Sequence, residues 1–174
     1  MAPMILVMGV AGCGKSTVTA GLAAALGCAL IEGDDFHLPQ SQHKMRHGIA
    51  LDDADRWPWL DQLGVLLAEA PGGAVLSCSA LKRRYRERLR AAVPTLQTVF
   101  IDIGPEEARA RVAARPAHLF PPSLVASQFE ALEPPLDEPG VLRVDAMQPR
   151  AVQGEAILRW LGHAVPQPLM ETPP

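Results

Sequence analysis

Near the N-terminus an apolar run, Met4 to Met8, stops abruptly at glycine, and four further apolar runs follow: "CALIEG" from Cys28, "AVLSCSA" from Ala74, "TVFIDI" from Thr98 and "VLRVD" from Val141. Short apolar runs bounded by glycine, proline or charge predict buried strands. Between and after them, apolar positions recur at helical spacing over residues 15–26, 56–69, 82–92, 105–115, 123–132 and 151–163. Strands alternating with helices predict an α/β fold, with a five-stranded parallel sheet covered by helices on both faces in three layers. Open sheets of this kind bind ligands at the carboxyl ends of their strands, so the residues that directly follow each strand are the candidates for a site.

The first of those strand ends is the most informative. Gly9, Gly14, Lys15 and Ser16 match G-x-x-x-x-G-K-[ST], with Gly12 as an extra glycine, between a predicted strand and a predicted helix. Glycines let backbone N–H groups turn inward around an anion, and the helix N-terminus adds partial positive charge. The segment reads as a phosphate-binding P-loop of a P-loop NTPase-type fold. Lys15 is placed to reach the β- and γ-phosphates, Ser16 to hold a magnesium ion, and Thr17 to add a phosphate contact.

Composition narrows the class. A chain of 174 residues suits one domain, expected over 1–165, and the proline-rich stretch 166–174 is expected to fray. The net charge of −3 argues against nucleic acid or an anionic membrane as partner, and no apolar run approaches the ~18 residues of a spanning helix. Cys13, Cys28 and Cys78 are widely spaced and lack zinc spacing, which suits reduced thiols and a cytoplasmic location. The first apolar run feeds the P-loop rather than forming an export signal.

The other strand ends supply candidate chemistry. The second closes in "EGDDFH", with Glu32, Asp34 and His37 beside the expected γ-phosphate. On an extended segment the Glu32 and Asp34 carboxylates point the same way, one to hold magnesium through water and the other to accept a proton from an attacking hydroxyl. The polar stretch "HKMRHGIALDDADRWPWL" reads as a substrate-covering insertion carrying Lys44 and Arg56. In "CSALKRRYRERLR", Lys82 and Arg86 stand i, i+4 and are expected to face an anionic substrate together. Arg111 and Arg115 precede a proline-interrupted loop that reads as a lid, with Arg115 the stronger candidate for the transferring phosphoryl group.

In order along the chain, "GVAGCGKS", "GDDFH", "KM..G..L.D.DR.PWL", "CSALK..YR..LR", "QFE.LE.P" and "VD..QP" resemble the small P-loop gluconokinases, which are similar to shikimate kinases. The resemblance runs from Met4 to about Pro149. It implies MgATP-dependent phosphorylation of D-gluconate to 6-phosphogluconate by a cytoplasmic homodimer. It also implies phosphate contacts from Gly12, Cys13, Gly14, Lys15, Ser16 and Thr17, with Asp34 as general base. Lys44, Arg56, Lys82 and Arg86 become candidate gluconate contacts, and Gln148 and Pro149 lie near the adenine. The chain departs from the family pattern at Glu32, Ser41, Ala50 and Pro116. Two alternatives stay open: a kinase of another small hydroxy acid such as shikimate, and a non-catalytic nucleotide switch, although no N-K-x-D guanine-reading string is present.

Overall fold

The computed structural model describes residues 2–114 and 121–163. Arg115, Pro116 and the stretch 166–174 lie outside the described residues. Five parallel strands form one sheet: β1 (Met4–Met8), β2 (Ala29–Glu32), β3 (Ala74–Ser77), β4 (Gln97–Asp102) and β5 (Val141–Asp145), in the order β2-β3-β1-β4-β5. Strand β1 lies centrally between β3 and β4, and its Ile5, Leu6, Val7 and Met8 are fully buried. That explains its unbroken apolar run, since a central parallel strand is covered on both faces. From β1 the chain moves first toward one edge and later toward the other, so a crevice opens at the carboxyl end of β1, where the P-loop begins.

Alternation along the strands divides the core in two. Ile5, Val7, Val75, Val99 and Ile101 face helices α1 (Lys15–Leu26), α5 (Pro105–Ala113), α6 (Val125–Ala131) and α7 (Arg150–Trp160). Leu6, Met8, Leu76 and Phe100 face α3 (Asp53–Ala68) and α4 (Arg83–Ala92). Successive side chains of a strand point to opposite faces, and the three-layer architecture follows directly.

The local differences from the sequence reading have physical causes. A helix α2 (Pro39–Arg46), absent from the helices that the sequence pattern predicts, runs into the start of the insertion and is entered through Pro39 in its first turn. It is strongly polar, with only Ser41 and Met45 buried, so it carries little apolar periodicity. Helix α3 begins three residues before the expected start, because Asp52 and Asp55 form a reciprocal capping box. Residues Gly33–Phe36 form a 3-10 turn rather than continuing β2.

Candidate active site

The P-loop is built around its glycines. A Cβ on Gly9 would lie 2.6 Å from the Ile101 carbonyl oxygen, and one on Gly12 would lie 2.7 Å from that of Ala108. Both glycines therefore let the loop backbone pack directly on β4 and α5. Gly14 differs: at φ +100° it takes a conformation that L side chains rarely adopt, yet nothing stands within 4 Å of its added Cβ. Lys15 Nζ donates to the Val10 carbonyl at 3.1 Å, lying across the loop.

Two hollows meet at Gly14. One is lined by Lys15, Ser16, Thr17, Asp34, His37, Arg56 and Lys82, together with Trp59, Ser79 and Gln128. The other lies behind the loop and is lined by Cys13, Arg111, Gln148, Pro149 and neighbours from α7. Arg111 bridges the two sides of this second hollow, donating to the Ala146 carbonyl at 3.1 Å and toward the Gly12 carbonyl at 3.5 Å. Gln153, 4 % exposed, holds the loop after β5 from below by donating to the Gln148 carbonyl at 2.8 Å.

On the acceptor side, Trp59 Nε1 donates to the Gly33 carbonyl at 2.8 Å, and its ring stacks on His37 at 4.1 Å between centroids. These contacts hold the turn that presents Asp34, whose carboxylate lies 3.7 Å from His37 Nε2 and is half exposed. The cations are organised by Tyr85, 1 % exposed. Its hydroxyl donates to Asp53 Oδ1 and accepts from Arg56 Nη1 at 3.3 Å, while Asp53 also binds Lys82 Nζ at 3.1 Å and Arg84. The Tyr85 hydrogen bond, helped by Lys82 and Arg84, outweighs burial and holds the Asp53 carboxyl below the usual aspartate range. Arg56 and Lys82 thus reach the cavity on an anionic and aromatic support.

Three sequence expectations need correction. Arg86 does not face a substrate: its side chain is 1 % exposed, and its guanidinium binds Glu138 and the carbonyls of Ala80, Leu81 and Glu133. The i, i+4 argument fails because Lys82 is the N-cap of α4, with extended backbone angles, rather than part of the helix. Lys44 pairs with both oxygens of Asp55 at 2.8 Å, clamping α2 to the start of α3, and does not line the cavity. That hydrogen bond raises its ammonium above the ordinary lysine range. Glu32 also does not line the cavity. Glu32 ends β2 and the chain turns into the 3-10 helix at Gly33, so Asp34 no longer follows the strand alternation that would have aligned it with Glu32.

Two further features are visible only in three dimensions. Ala80, at φ 42°, is the one non-glycine residue with positive φ among the described residues, and it sits between Ser79 and Lys82 of the cavity wall. Cys78 is fully buried beneath the same wall. Loss of solvation pushes its thiol up to about 12, which keeps it protonated and excludes it as a nucleophile near neutral pH.

A family model described as an AAA domain matches residues 4–135. The curated gluconokinase of Gluconobacter oxydans (strain 621H) is 44 % identical over 158 residues, covering 89 % of each chain. The chain belongs to the gluconokinase family. A second relative, the thermosensitive gluconokinase of Escherichia coli (strain K12), is 39 % identical and covers 80 % of this chain and 77 % of its own. The crystal structure of a gluconokinase from Sinorhizobium meliloti 1021 superposes with a TM-score of 0.84 at 43 % identity, covering 92 % of this chain and 91 % of that one. As a gluconokinase-family P-loop kinase, the chain uses ATP. Among the described residues no helix is long and apolar enough to cross a membrane.

Proposed function

We infer that this chain transfers the γ-phosphoryl group of ATP to the terminal hydroxyl of D-gluconate, giving 6-phosphogluconate and ADP. The observation that carries this reading is the single cavity in which the P-loop lysine, one carboxylate and two cations face a common space. Arg56 and Lys82 suit the carboxylate of the acceptor, and the planar guanidinium of Arg56 matches it in a bidentate way. Asp34 accepts the proton of the attacking hydroxyl as the new O–P bond forms. The bond from phosphorus to the β–γ bridging oxygen breaks, and its electron pair leaves on ADP. Lys15 neutralises charge that builds on the phosphate oxygens.

The hollow behind the loop, with Cys13, Arg111, Gln148 and Pro149, is assigned to the nucleoside. Magnesium fits the oxygens present, since the Ser16 hydroxyl and the Asp34 carboxylate line one cavity and are donors of the hard type this ion takes. Ser16 would hold it, and the ion would supply charge neutralisation for the phosphates. His37 is assigned to the acceptor side beside Asp34. Arg115 is assigned to the departing phosphoryl group; Arg115→Ala should then lower kcat more than it weakens ATP binding. The family resemblance supports a homodimer, for which light scattering is the check. The unpaired state of Cys13, Cys28 and Cys78 suits a reducing cytoplasm.

A coupled ADP-release assay across D-gluconate, shikimate, glycerate and buffer tests the reading. Gluconate should give the largest rate, and faster turnover of shikimate would overturn the substrate assignment.

A further inference from the structure

Gln128 sits on the buried stripe of α6, three residues after Val125 and four after Leu124, where an apolar side chain is the ordinary occupant. It is 9 % exposed, lines the acceptor cavity, and its Oε1 accepts from the Ala11 N–H of the P-loop at 2.6 Å. A backbone N–H can only donate, so this contact settles which way the amide points. The oxygen faces the loop, and the NH2 is the end that remains. No described residue accepts a hydrogen bond from that Nε2. An amide donor without a partner among the described residues, on a buried side chain in a wall shared with Asp34, Arg56 and Lys82, is a ligand-reading group.

The chemistry of the cavity selects what it reads. Carboxylate and phosphoryl oxygens draw the charged donors Lys15, Arg56 and Lys82, whose hydrogen bonds to anions are the stronger ones. A neutral amide is matched to a neutral hydroxyl, and a site built to hydrogen-bond a hydroxyl discriminates sharply against a substrate lacking it. We propose that Gln128 determines acceptor specificity by donating from Nε2 to one non-reacting hydroxyl of the polyol acid while its Oε1 fastens the P-loop. The proposal rests on the gluconate reading above. It makes one side chain the link between acceptor recognition and the position of the phosphate-binding backbone.

The test is a double-mutant cycle between protein and substrate. Gln128→Met keeps the approximate shape and removes both hydrogen bonds, and it is assayed with D-gluconate and with each gluconate lacking one non-reacting hydroxyl. On gluconate, kcat/KM should fall on the order of 10- to 100-fold. For one deoxy analogue the parent-to-variant ratio should be at least about threefold smaller than on gluconate, because the hydroxyl that the amide reads is already gone and only the P-loop contact is still lost. An equal loss on every analogue, with weakened ATP binding by calorimetry, would show that Gln128 serves only the P-loop and overturn the proposal. If circular dichroism shows Gln128→Met unfolded, Gln128→Glu, which keeps an acceptor for the Ala11 N–H, carries the same cycle. A parent enzyme inactive on gluconate would instead defeat the underlying substrate reading.

Discussion

The Arg86 guanidinium and the Glu138 carboxylate, each side chain 1 % exposed, form an ion pair that ties the loop before β5 to the turn after β3. Arg90 binds the second oxygen of the same carboxylate at 2.6 Å. The remaining Arg86 donors reach the Ala80 and Leu81 carbonyls at 2.9 Å, so the buried pair holds the one positive-φ alanine beside the cavity in place. Residues in sparsely populated backbone regions persist only where their surroundings over-determine them.

Removing one partner of a buried pair leaves an uncompensated charge. Glu138→Gln should therefore destabilise the fold by about 3–5 kcal/mol near neutral pH, measured by urea unfolding. Burial pushes the Glu138 carboxyl up, but the hydrogen bonds and charges of Arg86 and Arg90 together prevail and hold it below the ordinary glutamate range. A depressed folded pKa gives stability that is complete above the unfolded value of about 4.3 and is lost as pH falls through the folded one. The stability gap between parent and Glu138→Gln should accordingly narrow on acidification below about pH 4. A gap unchanged down to pH 3 would mean that the pair is not the source of the stability.

Arg56 and Tyr85 give a second expectation. Arg56→Lys removes the bidentate fork and should raise the gluconate KM at least tenfold while the ATP KM stays within about twofold. Tyr85→Phe keeps the buried ring and removes only the hydroxyl that links Arg56 to Asp53. It should raise the gluconate KM by a smaller factor, about three- to tenfold, again without moving the ATP KM. Equal changes in both KM values for either variant would remove that residue from acceptor binding.

Among the described residues the Lys15 side chain hydrogen-bonds to the Val10 carbonyl, and Lys15 belongs to neither half of the apolar core. Lys15→Ala should lower kcat by on the order of 10²–10³ or more with thermal unfolding within a few degrees of the parent. An active, folded variant would separate the motif from the chemistry.

Asp34 is half exposed at the head of the 3-10 turn and lines the acceptor cavity. Asp34→Asn should reduce kcat by on the order of 10²–10⁴ while calorimetric ATP binding is kept. A reduction below about tenfold would make it a positioning group, as a strongly dissociative transition state needs little proton removal.

The P-loop, the strand and helix around it, and the parallel α/β class were all decided locally. Gly9, Gly12, Gly14, Lys15 and Ser16 are consecutive enough that backbone freedom, helix start and apolar run speak from one short stretch. The alternation of Ile5 and Val7 against Leu6 and Met8 likewise encodes two covered faces without reference to distant residues. Tertiary structure alone decided the strand order and the fate of the charges, because each depends on a partner in another element. Four cations look equivalent as letters, yet Lys44 finds Asp55 and Arg86 finds Glu138, 52 residues away, while Arg56 and Lys82 reach the cavity. Gln128 shows the same limit in the other direction. Its place in the cavity wall follows from a hydrogen bond to Ala11 across 117 residues, a separation over which no local pattern carries information.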